Sequence, residues 1–404
     1  MGKTKSFSIE LTETIDPIRE GDDYDSYWIL IRYRHRPVGG FWYSIPDPNW
    51  PNISPEEMQV AVISHLGGAV IENVIGGNII PESHINEYSE PISVIVCTRN
   101  RTGHLRQCIT SLLDLEYPDF EIIIVDNAPD DDFTAKLAAD HPVRYIHEPR
   151  PGLDWARNRG ITEARHRIVA FTDDDARVDR FWLCSIAESF RDPEVMAVSG
   201  LVWPAELETT AQFLFEFDYG GMGHGMKYRK INRERISDRD LFWASSFGIG
   251  ANMAFRKEIF EKIGMFDASL DAGTPSRGCG DVEMFHRLVA SGYIMVYEPS
   301  MLVWHVHRRS FGALKQQMRD NGCSFGVYLL TCTEHKTMKR STMLHSLLRY
   351  WFIDWILLRL ISPPGNLPRS LVVHEFFGML ESPFAYRATK RKEKEVHNKF
   401  SGTD

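Results

Sequence analysis

The chain has 404 residues, 43% hydrophobic and 25% charged, with 46 Lys and Arg against 55 Asp and Glu for a formal net charge of −9. That balance excludes collagen-like, disordered and membrane-embedded classes, and at roughly 100–200 residues per domain it predicts two or three structural units. A mildly acidic chain without a basic stripe does not suit nucleic acid, whose binding depends on neutralising phosphates.

Six cysteines, at 97, 108, 184, 279, 323 and 332, include no CxxC pair and no tight His/Cys cluster. No disulfide framework or structural zinc site is expected, and the compartment inferred is the cytoplasm, with contact at the inner face of the membrane left open. The opening MGKTKSFSIELTETID lacks the apolar core of a secretory signal, and no uncharged apolar run is long enough to span a bilayer.

The predicted elements fall into three parts, 1–90, 91–335 and 336–404. In the first, residues 28–34 alternate, Pro37-Val38-Gly39-Gly40 reads as a turn, and residues 41–45 alternate again, which predicts a hairpin. Pro46, Pro48 and Pro51 break the pattern. Ser54-Pro55-Glu56-Glu57 then opens a helix, with Ser at the N-cap and Pro at the first helical position. The whole reads as a small α/β appendage without catalytic residues, joined on by a polar linker over 81–91.

The second part alternates short β-branched runs with helical periods. The runs are ISVIVC (92–97), EIIIV (121–125), VRYI (143–146), RIVAF (167–171) and VMAVSG (195–200). Between the first two, Leu105, Cys108, Ile109, Leu112 and Leu113 share one helix face. Near-continuous apolar strands separated by amphipathic helices predict a mostly parallel sheet covered on both faces, with ligands beyond the carboxyl ends of the strands.

The third part is helical. Residues 343–361, MLHSLLRYWFIDWILLRLI, are apolar but interrupted by Arg349, Asp354 and Arg359. At about 100° per residue these fall at roughly 0°, 140° and 280°, so no clean polar face is expected. Packing against the catalytic part, a second copy of the chain and a membrane surface all stay open, as does the role of the Lys- and Arg-rich residues 387–399.

Chemistry concentrates at the predicted carboxyl ends. ISVIVC runs into Thr98-Arg99-Asn100-Arg101, EIIIV into Asp126-Asn127, and RIVAF into Thr172-Asp173-Asp174-Asp175. Three adjacent carboxylates at a strand end repel one another, and a divalent cation removes that penalty. Mg²⁺ or Mn²⁺ takes hard oxygen ligands, one or two carboxylates plus the oxygens of a bound phosphate. A GxGxxG turn and a GxxxxGK[ST] loop are both missing, so dinucleotide oxidoreductases and P-loop NTPases are excluded.

The succession PISVIVCTRNR, EIIIVDNAPDD, GLDWARNRGI, IVAFTDDDA, FGIGANMAFRKEIFEKIGMFD, GCGDVEMFHRLVASGY and VWHVHRR resembles the family 2 nucleotide-sugar glycosyltransferases of GT-A fold, over about residues 91–310. The resemblance implies an inverting, metal-dependent transfer of sugar from a nucleotide-diphosphate donor to an unidentified acceptor hydroxyl. It implies that Thr98, Arg99 and Asn100 border the nucleotide, that Asp126 bonds the base and that Arg157 lies near the donor. Asp173 and Asp175 match the DxD motif. Asp175 is the expected Mn²⁺ or Mg²⁺ ligand, and Asp173 and Asp174 are donor contacts. Asp281 is the expected general base, and His305 a metal or diphosphate contact.

One position departs from the family pattern: Gly280 stands where a Glu usually precedes the base. Glu283 is a reserve carboxylate, but on a helix it lies about 200° from Asp281. His307 shares a strand face with His305, and either Arg308 or Arg309 suits a diphosphate. Residues 220–226, GGMGHGM, suggest a mobile loop over the site. Phe213, Phe215 and Phe217 alternate and are read as core in preference to a sugar platform. A nucleotidyltransferase and a degenerate nucleotide-sugar binder are the alternative functions.

Overall fold

Alternate residues of each apolar strand face opposite sides of the central sheet, and both sides are covered. In a computed structural model describing residues 2–19, 24–45, 52–75 and 90–400, Ile95 packs on one side with Ile123, Val125 and Phe171. Val94 and Val96 pack on the other with Ile122, Ile124 and Ala170. The helix Thr102–Leu113 covers the second side through Leu105, Cys108, Ile109 and Leu112. Leu113, expected on that face, is instead exposed at the helix end. The helix Leu153–Glu163 covers the first side through Ala156 and Ile161.

The sheet runs in the order Ala176–Val178, Ile294–His305, Val195–Pro204, Asn252–Arg256, Ile168–Asp173, Ile92–Thr98, Phe120–Asn127, Arg144–Glu148, with Arg229–Ile231 added beside Ile294–His305. Ile168–Asp173, Ile92–Thr98, Phe120–Asn127 and Arg144–Glu148 are parallel. Asn252–Arg256 is antiparallel to both its neighbours. The five expected strands all form, and the last runs on to Pro204, buried throughout. Its register shifts between Gly200 and Leu201. There the Asn252 amide donates to the carbonyls of Leu201 and Met301, at 2.9 and 2.6 Å, so the irregular ladder leaves neither acceptor bare.

The N-terminal residues form a separate sheet. Thr4–Glu10 lies parallel to Ser26–Tyr33, which pairs antiparallel with Arg36–Ser44. The hairpin turns at Arg34 and His35, both with positive φ, and not at Pro37–Gly40. The reason is Glu10, whose carboxylate accepts the Arg34 and His35 amides at 2.9 and 2.7 Å. Gly39 and Gly40 belong to the second strand. A Cβ at either would sit 2.7 Å from Leu66 or 2.6 Å from Trp203, so the glycines admit the helix Pro55–Ile75 on one side and the central sheet on the other. Ser54 and Glu57 cap that helix reciprocally, as expected. Pro46, Pro48, Pro51 and the linker as far as residue 89 lie outside the described residues.

Behind the site, the helix Phe311–Glu334 packs along Arg369–Phe400. Among the described residues no helix is long and apolar enough to cross a membrane.

Candidate active site

The three central parallel strands end together, and their terminal side chains line one cavity of about 360 Å³. Thr98 closes Ile92–Thr98 and donates its hydroxyl to Asp174 at 2.7 Å. Arg101 reaches back from the next turn, donating at 2.6 Å to Asp174 and at 2.6 Å to Asp175. His305, at the end of Ile294–His305, brings Nε2 to 3.3 Å from Asp175. Ligand atoms of Asp173, Asp175 and His305 lie within 4.8 Å of one another.

The electrostatics of this corner are those of an acidic cluster awaiting positive charge. Burial and then the charge of Asp175 push the Asp173 carboxyl up to about 7. Burial also lifts Asp174, to about 6, against the pull of Arg101 and Thr98. Burial would raise Asp175 too, but His305 and Arg101 outweigh it and hold that carboxylate well below its usual range. Burial works against a charged His305, and the hydrogen bond and charge of Asp175 overcome it. The Nδ1 of His305 is buried without a partner. Two carboxylates, which are hard oxygen donors, with one borderline imidazole nitrogen at this spacing fit Mn²⁺ or, through the carboxylates, Mg²⁺.

Asp281 enters from the other side of the cavity, in the first turn of the helix Gly280–Ala290. It accepts amide hydrogens from Gly250 at 2.6 Å and Val282 at 2.8 Å, which fix both oxygens. A Cβ on residue 250 would stand 2.6 Å from Arg157 and 3.0 Å from Asp281, so glycine there admits both. Burial, then repulsion from Asp271, raises the Asp281 pKa, with Arg157 opposing. Arg157 is buried and donates to Asp154 at 2.8 Å and to Asp271 at 2.5 Å.

The departure at Gly280 now has a physical account. A Cβ there would lie 2.0 Å from Asp154 and 2.8 Å from Asp271. Two carboxyls from other segments fill the volume a glutamate would need. The Asp154 carboxyl is driven well above its usual range, by burial first and Asp271 second. Glu283 turns away from the cavity to Arg287 and His335, at 2.9 Å each.

Of the expected residues, the cavity gathers Thr98, Arg99, Arg157, Asp173, Asp174, Asp175, Asp281 and His305. Asn100 and Asp126 are not in its lining. Asn100 pairs with Asp130 on the surface. Asp126 is buried, accepting from Tyr145 at 3.0 Å, with its other oxygen unpartnered. His307 lines the cavity but pairs with Glu216 at 2.9 Å, so His305 is the histidine at the carboxylates. Arg309 is spent on Glu206 and Glu208 and Arg308 faces the cavity. In residues 220–226, Tyr297 donates to the Gly225 carbonyl at 2.9 Å, His224 is half-buried, and Met222 reaches the cavity. Sequence reasoning missed Asp271, which sits in a loop with no periodic signal, and Asp154, whose i,i+3 spacing to Arg157 was legible.

A mostly parallel sheet with an acidic turn at its carboxyl edge, faced by a carboxylate across a cavity, defines the GT-A class. Over residues 93–264 the chain matches the family described as glycosyl transferase family 2. It is 26% identical over 223 residues to a pre-mycofactocin glycosyltransferase of Mycobacterium tuberculosis, covering 54% of this chain and 43% of that one. It is 25% identical over 252 residues to the glycosyltransferase AglE of Haloferax volcanii, covering 59% and 74%. The match thus spans less than half the length of the mycobacterial relative. Among solved structures, the fold is shared with a mannosyltransferase from Pyrobaculum calidifontis, in complex with GDP-Man and Mn²⁺, at 17% identity and TM-score 0.50, covering 74% of this chain and 88% of that one.

Proposed function

We propose that the chain transfers a sugar from a nucleotide-diphosphate donor to an acceptor hydroxyl in one displacement, inverting the anomeric carbon. The observation that carries this reading is the shared cavity, lined both by a carboxylate held by two amides, Asp281, and by the Asp173–Asp175–His305 cluster. Asp281 takes the proton as the acceptor oxygen attacks the anomeric carbon. The bond from that carbon to the diphosphate oxygen breaks, and its electron pair leaves with the diphosphate. Arg101 and Arg308 supply positive charge beside the leaving group. Asp173, Asp175 and His305 would hold Mn²⁺ or Mg²⁺, which when bound neutralises charge on a diphosphate. Inversion is supported by the engagement of the neighbouring Asp271 with Arg157, which leaves Asp281 as the base. Thr98, Arg99 and Arg157, which line the cavity, border the donor.

The test compares two variants with wild type on a panel of nucleotide sugars in Mn²⁺. Asp281→Asn is expected to lower transfer by about 10²–10⁴-fold while calorimetry still records nucleotide binding. Asp175→Ala is expected to remove the Mn²⁺ dependence of that binding. Wild-type turnover in excess EDTA, or unimpaired turnover by Asp281→Asn, would overturn the reading.

A further inference from the structure

The C-terminal helices carry an apolar surface that the catalytic reading does not use. Residues 340–361 form one continuous helix whose middle, Leu347–Leu357, is wound with i→i+5 hydrogen bonds. This wider turn brings residues four to five apart onto one face. Leu344, Leu348, Phe352, Leu357 and Ile361 are all exposed, Leu344 by 61%. On Arg369–Phe400 a second row, Val373, Phe377, Leu380 and Phe384, follows helical spacing and is also exposed, Phe384 by 71%. The two helices pack as an antiparallel hairpin. Phe376 contacts Phe352 and Trp351, with ring centroids 6.1 and 6.3 Å apart, and Arg369 donates to the carbonyls of Leu360 and Ile361.

The charges that interrupt this segment do not spoil the surface. Arg349 is paired with Asp354, and Arg359 turns inward onto Trp355 and the Tyr219 carbonyl. The surrounding charge is positive in an otherwise acidic protein: residues 336–404 hold twelve Lys and Arg against six Asp and Glu. Exposed Lys339 and Arg340 precede Leu344, and Arg387 follows Phe384, so cations gather at the same end of the hairpin. Large apolar residues beside a basic end match an anionic bilayer. A second copy of the chain would bring the same positive excess.

We infer that this hairpin docks the protein on an anionic membrane, lying in the interface with both rows in the acyl boundary. The inference stands apart from the reaction assigned above. Flotation of the full chain with phosphatidylcholine vesicles, with and without phosphatidylglycerol, tests it. The chain is expected to float with the phosphatidylglycerol vesicles and to be weakened in high salt. Phe377→Asp/Phe384→Asp is expected to lower the lipid-bound fraction roughly tenfold with an unchanged circular dichroism melt. Leu344→Ser/Leu348→Ser, on the other helix, gives the same readout should the first pair unfold. Absence of flotation with either vesicle, or equal flotation of the variants, overturns the inference. So does a concentration-dependent dimer, seen by sedimentation and lost in both variants without flotation, which assigns the face to a second copy.

Discussion

At the scale of single residues, the site is a balance of buried charges around Arg157. Asp154, Asp271, Asp281 and Asp173 all act on that one guanidinium. Asp271 raises the pKa of Asp281 by repulsion, so a base that works only when ionised loses activity at higher pH than it otherwise would. Asp271→Asn is therefore expected to move the acidic limb of the transfer rate to lower pH, read from a pH series of kcat/KM. A limb that stays in place would separate Asp271 from the base. Gly280 bears on the same cluster. Gly280→Ala places a methyl against the Asp154 and Asp271 carboxyls and is expected to cost about 1–3 kcal/mol in urea unfolding. An unchanged midpoint would mean that those carboxyls yield easily.

At the scale of elements, the helix Arg369–Phe400 is fitted to Phe311–Glu334 by small residues. A Cβ at Gly322 would fall 1.9 Å from the Glu375 carbonyl oxygen, and one at Gly378 would fall 1.9 Å from that of Arg319. This close seam buries Glu375, whose carboxylate accepts from Trp355 at 2.8 Å. Burial pushes its pKa up to about 7, from an ordinary 4.5, with the Trp355 bond and Arg359 opposing. A carboxyl raised on folding stabilises the fold below its unfolded pKa, and that contribution is lost as pH rises through the folded value. Stability should thus fall between about pH 4.5 and 7, and Glu375→Gln should recover up to about 3 kcal/mol above that window. Urea denaturation across pH checks it, and parallel profiles for both proteins would rule Glu375 out as the cause.

At the scale of the whole molecule, the N-terminal sheet is joined to the catalytic sheet by backbone and by rings. Thr4 and Lys5 pair antiparallel with Leu207 and Glu206. Trp28 stacks on Trp203 with centroids 5.1 Å apart, and Phe213 and Phe217 close edge-on over Trp42. Phe213, Phe215 and Phe217 lie on a helical turn and not on an alternating strand: Phe215 is core, as expected, and faces His307, and the other two face the appended sheet. Trp28→Ala is expected to lower unfolding stability by about 2–3 kcal/mol, less than a fully buried Trp because the residue is only partly buried. Mn²⁺-dependent nucleotide binding at low temperature should persist; its loss would give the appended sheet a part in the site.

The sequence by itself determined the parallel strands, because their β-branched runs must be buried on both faces. It also determined the acidic strand ends, because three carboxylates in a row have few physical uses. Only the tertiary structure decided the partners of Asp281, the choice between His305 and His307 and the turn at Arg34–His35. Each depends on a group far away along the chain: Gly250 and Asp271, Asp175 and Glu216, and Glu10. The apolar face of the C-terminal hairpin was hidden for a related reason. A fixed turn of about 100° per residue scatters residues that a wider helix, packed against its neighbour, brings into line.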